Sequence, residues 1–194
     1  MNGEQKIKER IRKSIAVKER LCCGPELIRA IGFLTDTLKS GGRVLACGNG
    51  GSAEQAQHLI GELVGKFRHD TPSYAAIALG TNIAVVTALA NDFGYESVFA
   101  RELEGVSRKG DVLVAISTSG NSPNVVAAAR AARERGVRTI GLLGRGGMLK
   151  DLVDIALTVD SESTARIQEA HLLLIHIMAE FVEEEMMTQS MNLV

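Results

Sequence analysis

Five short runs rich in aliphatic and β-branched residues, 43–47, 74–79, 111–117, 138–143 and 154–159, alternate with helix-like segments over 53–67, 82–90, 96–106, 122–135 and 164–185. Strands joined through helices have to lie parallel, and the helices then cover both faces of the sheet. The expected fold is therefore α/β: a three-layer αβα sandwich around a five-stranded parallel sheet in the flavodoxin-like order 2-1-3-4-5. Ahead of it, Ile7, Ile11 and Ile15, then Leu27, Ile31, Leu34 and Leu38, recur at helical spacing. Cys22-Cys23-Gly24-Pro25 breaks these into two helices, with Pro25 suited to a first turn, and Gly41-Gly42 ends the second. The expected division is a helical segment over 1–40, the α/β domain with its C-terminal helix over 41–188, and a tail over 189–194.

Composition matters mainly for what it excludes. A chain of 194 residues buries one sizeable core rather than two. A net charge of -1 argues against a nucleic-acid surface as the main partner, and no apolar run approaches the roughly 18 residues of a membrane span. Met1-Asn2-Gly3-Glu4-Gln5-Lys6 carries no apolar signal segment, so a cytoplasmic protein is expected. The three cysteines, two of them adjacent, make neither metal-ligand spacing nor a disulfide framework, and Cys47 reads as a buried strand residue.

Two loops at the carboxyl ends of strands carry the chemistry. Gly48-Asn49-Gly50-Gly51-Ser52 links the first strand to a helix, with Ser52 expected as its N-cap. Glycine turns expose backbone N–H groups and a helix start adds partial positive charge, so an anion, phosphate above all, suits the loop. Ser117-Thr118-Ser119-Gly120-Asn121-Ser122 follows the third strand and leads into a helix, with Ser122 as N-cap and Pro123 in its first turn. In the order 2-1-3-4-5 these two loops flank the crevice where strand order reverses, and one phosphate can be held by both. Gly48 to Ala53 also fits the dinucleotide fingerprint G-x-G-x-x-A. That reading expects an acid after the second strand, where Ala78-Leu79-Gly80-Thr81 has none.

Ionisable residues gather on two helices. His58 and Glu62 are four apart and share a face, an arrangement that an ordinary solvated surface also produces. His176 lies within a run, Leu172 onward, that is apolar around most of its circumference and so should be buried. It needs a partner there, and a satisfied core histidine remains the alternative. Gln168 is close enough in azimuth to reach the same cleft, whereas His171 points elsewhere. Asn91-Asp92-Phe93-Gly94 reads as a turn following the helix over 82–90.

Taken together, Cys47 to Ser52, Gln57-His58-x3-Glu62-Leu63, Ala90-Asn91-Asp92-Phe93-Gly94, Ile116 to Ser122 and Arg166-Ile167-Gln168-Glu169-x-His171-x4-His176 resemble the sugar isomerase (SIS) family. Within it they are similar to the sedoheptulose 7-phosphate isomerases, over roughly 28–185. The resemblance implies an aldose–ketose isomerase that converts D-sedoheptulose 7-phosphate to D-glycero-D-manno-heptose 7-phosphate through an enediol, the first step toward nucleotide-activated heptose. It implies Glu62 as base and His176 as acid on the opposite side of the sugar. Phosphate would lie on Ser117, Thr118, Ser119 and Ser122, and the sugar among Asn49, Gly50, Gly51, Ser52, Glu62, Asn91, Asp92 and Gln168. It implies one Zn2+ per subunit on His58, Glu62, Gln168 and His176. It further implies a cytoplasmic homotetramer assembled through the N-terminal helices, with sites between subunits and Glu62 and His176 drawn from different chains. The alternative is a non-catalytic SIS phosphosugar-binding protein that associates with the replication initiator. That relative has a small residue where Glu62 stands and lacks a counterpart of His176; the retention of both here favours the enzyme.

Overall fold

A computed structural model describes residues 1–21 and 24–191; the Cys22-Cys23 break and the last three residues of the expected tail lie outside the described residues. The elements are helices α1 (Gly3–Glu19) and α2 (Pro25–Lys39), strand β1 (Val44–Gly48), α3 (Gly51–Val64), β2 (Ala76–Ala78), α4 (Ile83–Phe93), a 3-10 turn at Tyr95–Ser97, α5 (Val98–Val106), β3 (Val112–Ser117), α6 (Pro123–Glu134), β4 (Arg138–Leu143), α7 (Met148–Leu152), β5 (Ile155–Thr158) and α8 (Thr164–Met191). All strand pairs are parallel, in the order β2-β1-β3-β4-β5. The sequence expectation for the fold therefore holds.

Side chains alternate across the pleat, and each set meets a different helix layer. Val44, Ala46, Val112, Val114, Ile116, Ile140 and Leu142 pack on α2, α3 and α8. Leu45, Cys47, Leu113, Ala115 and Leu143 pack on α5, α6 and α7. Both faces are dry, which is why the central strands read as continuous apolar runs. Within this core, burial and the Glu102 charge push the Cys47 thiol up to about 12. A smaller cluster of Val17, Val159, Ile167 and Ala170 seats α1 beside α8, and Ser14 donates a 2.5 Å hydrogen bond to Glu169.

Several boundaries differ from expectation. β2 is an edge strand and pairs only through Val44, Leu45 and Ala46, so it keeps three residues of the run over 74–79. Helix α4 continues to Phe93 and stops at Gly94 (φ 83), which places Asn91 and Asp92 in its last turn rather than in a loop after it. Helix α3 starts at Gly51 because Gly50, at φ 54, turns the chain early; Ser52 is buried in the first turn and is not the N-cap. The short α7 was not foreseen from the sequence. Helix α8 runs six residues beyond Glu185 and takes in the first part of the expected tail.

The expected all-round burial of α8 is only partly met. Leu174, Ile175, Met178 and Val182 are buried, while Leu172, Leu173, His176 and Ile177 are half-buried and Phe181 is exposed. The N-terminal helices do lie back along α8, yet a groove of about 690 Å³ stays open between Leu27, Ile31, Ile177 and Phe181.

Candidate active site

The register Gly48↔Ile116 ends β1 and β3 side by side, so their loops emerge together at the switch point of the sheet. In the loop after β3, Ser117 Oγ lies 2.9 Å from Ser122 Oγ and 3.4 Å from Ser119 Oγ, and Gly120 N donates to Ser117 Oγ at 3.2 Å. Ser122 is the N-cap of α6, as expected, but its hydroxyl makes no cap bond and turns to Ser117 instead. The loop is pressed against the β4–α7 turn: a Cβ on Gly120 would sit 1.9 Å from Gly146 O. Thr118 is half-buried and Ser119 exposed. This leaves a nest of hydroxyls and amides at the start of a 12-residue helix, suited to a dianion although none of these residues is cationic.

The loop after β1 faces it. Asn49 and Asn124 exchange amide hydrogen bonds, both at 2.8 Å, and Tyr95 Oη donates to Asn49 Oδ1 at 3.0 Å. The side chain expected to line the sugar site at Asn49 is thus engaged with protein. Asn91 donates to Asp92 at 2.8 Å, both exposed at the end of α4. Gly51 is helical, and an added Cβ would meet Gln168 Nε2 at 2.5 Å. Gly51, Gln55, His58, Gln168, Glu169 and Leu172 line one cleft of about 450 Å³.

Beyond that cleft, α3 and α8 bring three ionisable residues together. His58 Nε2 lies 3.0 Å from Glu62 Oε1 and 2.9 Å from His176 Nε2. One ligand atom from each residue lies within 4.8 Å of the others. Glu62 and His176 meet within one chain, because α3 and α8 pack directly, so the trio forms without a contribution from a second chain. His58 Nε2 carries at most one proton, which cannot satisfy both the carboxylate and the second imidazole nitrogen. Two imidazoles and a carboxylate with converging lone pairs are instead a divalent-cation donor set. Gln168, the fourth expected ligand, lies in the adjoining cleft beside Gly51.

The sequence reading missed several residues. Phe67 leaves the end of α3 and its ring lies 6.1 Å from that of His176. Its loop is strapped to α8 by the buried Glu183, which accepts from Arg68 N at 3.0 Å and His69 N at 2.9 Å, and by an Arg68–Glu180 ion pair. Asn124 stands in the first turn of α6, two residues after the hydroxyl loop ends at Ser122, which was signal enough to consider it; Tyr95 and Glu183 had none. His171 does point away from the site. It is fully buried with Nε2 3.0 Å from Leu143 O, and that burial lowers its pKa to about 4.

A parallel sheet with two ligand loops at its switch point and an imidazole–carboxylate trio about two helical turns along α3 defines a sugar-phosphate-handling SIS protein. The family model described as "SIS domain" matches residues 13–144. The phosphoheptose isomerase of Akkermansia muciniphila is 50% identical over 152 residues, 78% of this chain and 80% of that protein. That of Geotalea daltonii is 42% identical over 187 residues, 96% and 93%. Among solved structures, phosphoheptose isomerase from Neisseria gonorrhoeae superposes with a TM-score of 0.86 at 39% identity, covering 94% of this chain and 100% of that one. The enzyme from Francisella tularensis gives 0.89 at 33%, covering 95% and 100%. The chain belongs to the phosphoheptose isomerase family of SIS-domain proteins.

Proposed function

We propose that the protein interconverts D-sedoheptulose 7-phosphate and D-glycero-D-manno-heptose 7-phosphate, an aldose–ketose isomerisation that opens nucleotide-activated heptose biosynthesis. The observation that carries the reading is the meeting of His58, Glu62 and His176 within 4.8 Å on two helices of one chain, beside the cleft shared by Gly51 and Gln168. Retention of both Glu62 and His176 disfavours a non-catalytic phosphosugar-binding role.

In this reading the hydroxyls of Ser117, Thr118, Ser119 and Ser122 take the phosphate, assisted by the α6 terminus. The sugar extends past Gly50, Gly51, Ser52 and Gln168, with Asn91 and Asp92 at the rim. Glu62, with a side chain 20% exposed, removes the carbon-bound proton beside the carbonyl and returns it to the neighbouring carbon. His176 moves the proton between the two oxygens, so neither carries a full negative charge in the enediol. His58, Glu62, Gln168 and His176 would hold the zinc ion, and because an atom that ligates it is not free to carry a proton, acid–base transfer by Glu62 and His176 would use their unligated atoms. When bound, that ion supplies Lewis-acid stabilisation of developing oxygen charge. Phe67 and Leu172 keep one side of the site apolar, which limits water at the reacting carbons.

The assembly belongs to the same proposal. Ile7, Ile11 and Ile15 form an exposed stripe on α1, at 61%, 54% and 49% exposure, and Ile83 on the strongly apolar α4 is 80% exposed. Faces of this kind are covered by other subunits, consistent with a homotetramer that uses the segment 1–40. No helix among the described residues is long and apolar enough to cross a membrane, in keeping with a cytoplasmic enzyme.

The test is turnover of sedoheptulose 7-phosphate by the wild type and by Glu62→Gln. The amide variant should keep its fold and lose at least about 100-fold in kcat, the scale of a removed general base. Comparable rates would refute the role of Glu62, and an inactive wild type holding zinc would refute the substrate.

A further inference from the structure

We infer that Tyr95 and Asn124 are positioning residues that act through Asn49 to lock together the three segments surrounding the ligand. Each segment contributes one member: Asn49 the β1–α3 loop, Tyr95 the turn just after Asn91 and Asp92, and Asn124 the first turn of α6 behind the hydroxyl loop. The geometry is closed. Asn49 Oδ1 accepts from Asn124 Nδ2 at 2.8 Å and from Tyr95 Oη at 3.0 Å, which uses both of its lone pairs. Asn124 Oδ1 accepts from Asn49 Nδ2 at 2.8 Å and from Val125 N at 3.0 Å, which uses both of its own. Asn124 is 2% exposed, so ligand cannot reach it, whereas Tyr95 is 54% exposed and its phenol donates to Asn49.

A crevice between two loops is useful only if their separation matches the ligand. The reciprocal amide pair sets the distance between the β1 and β3 loops. The phenol pins the end of α4 to the same amide. Small errors in such spacing weaken every contact that spans the loops at once. This inference rests on the isomerase reading for its kinetic consequences, but the mechanical coupling stands apart from the substrate.

Two measurements test it. Tyr95→Phe removes one hydroxyl on an exposed ring, and Asn124→Asp, at constant size, replaces the donor with a carboxylate oxygen that faces Asn49 Oδ1. Hydrogen exchange should rise at the amides of 49–52 in both variants, and at 122–126 in Asn124→Asp, with the other strands unchanged. Unaltered exchange at both loops overturns the inference whatever the substrate proves to be. With sedoheptulose 7-phosphate, Tyr95→Phe should raise KM about 5-fold, the loss of one hydrogen bond, with kcat within about twofold. In an Asn49→Ala background the same change should have no further effect, because its only route is gone. A full 5-fold effect in that background would mean that Tyr95 touches the sugar itself and would overturn the positioning role. An inactive wild type with coupled loops would refute the substrate and leave the lock standing.

Discussion

Gly51→Ala separates stability from function at one methyl group. Gly51 occupies the first turn of α3 at an ordinary helical φ, so alanine is tolerated by the backbone and removes freedom from the unfolded chain. That change alone stabilises by about 0.4–1 kcal/mol. The new Cβ, however, would sit 2.5 Å from Gln168 Nε2, 3.1 Å from its Cδ and 3.2 Å from its Oε1. The amide must withdraw by about 0.9 Å to reach ordinary contact at 3.4 Å, and as the far end of a flexible side chain it can do so cheaply. A displacement of about 1 Å at a substrate-contacting group costs up to about 100-fold in rate. The expected outcome is a Tm equal to or slightly above wild type and a kcat/KM lowered by about 10–100-fold. Retained activity with the fold intact would show that the position of Gln168 against Gly51 is irrelevant to the chemistry. A large fall in Tm would show that the side chain cannot move aside.

Other outcomes follow from the same geometry. His171 is held neutral with a pKa near 4 against an ordinary value of 6.5, so the unfolded state binds its proton first. Stability should fall as pH drops below about 6.5 and continue to fall to about 4, by about 3 kcal/mol in total from this group. Urea titrations of His171→Gln, which keeps a donor toward Leu143 O, should lack that part of the slope; an identical slope would locate the acid sensitivity elsewhere. Glu183→Ala strands the amides of Arg68 and His69 and should cost about 1–3 kcal/mol. It should also open the loop to trypsin at Lys66 and Arg68, with Glu183→Gln restoring most of the protection; equal cleavage of wild type and Ala variant would refute the strap. Gel filtration should give a tetramer that Ile7→Glu with Ile11→Glu dissociates, and a fully active wild-type monomer would dismiss the assembly.

The fold was legible because the central strands β1, β3 and β4 are buried on both faces, so apolar runs such as Val112 to Ile116 stand out between glycines and charges. The loops were legible because glycines and hydroxyls crowd the carboxyl ends of β1 and β3, where an α/β sheet gathers its ligands. Side-chain destinations were harder to read. Residue type shows that Asn49 can bond a ligand, yet its partners Tyr95 and Asn124 lie 46 and 75 positions away in sequence and meet it only after folding. Ser52 looked like an N-cap because serine usually is one; the positive φ at Gly50 moved the helix start ahead of it. Helical periodicity placed His58 and Glu62 on one face of α3 and His176 on α8. It could not say which faces of the two helices touch, and so could not tell whether these residues meet within one chain.

Contact between α3 and α8 is made at matched levels. Gly51 meets Gln168, Gln55 Nε2 donates to Gln168 O at 2.6 Å, and His58 meets His176. Seven residues separate the first and last of these on α3 and eight on α8, about 10 and 12 Å at 1.5 Å per residue. The two helices therefore advance together, and the spacing of one level constrains the next. The missing side chain at Gly51 lets Gln168 close on the loop end, and the same approach brings the imidazole of His176 to that of His58. In the proposed binding mode, a phosphate held at the carboxyl ends of β1 and β3 would have its far carbons about two turns of α3 away, at the level of the ionisable trio. Gly51→Ala moves the Gln168 amide in the cleft that His58 also lines, so it should also change the His58 and His176 ring resonances in NMR, although it touches neither.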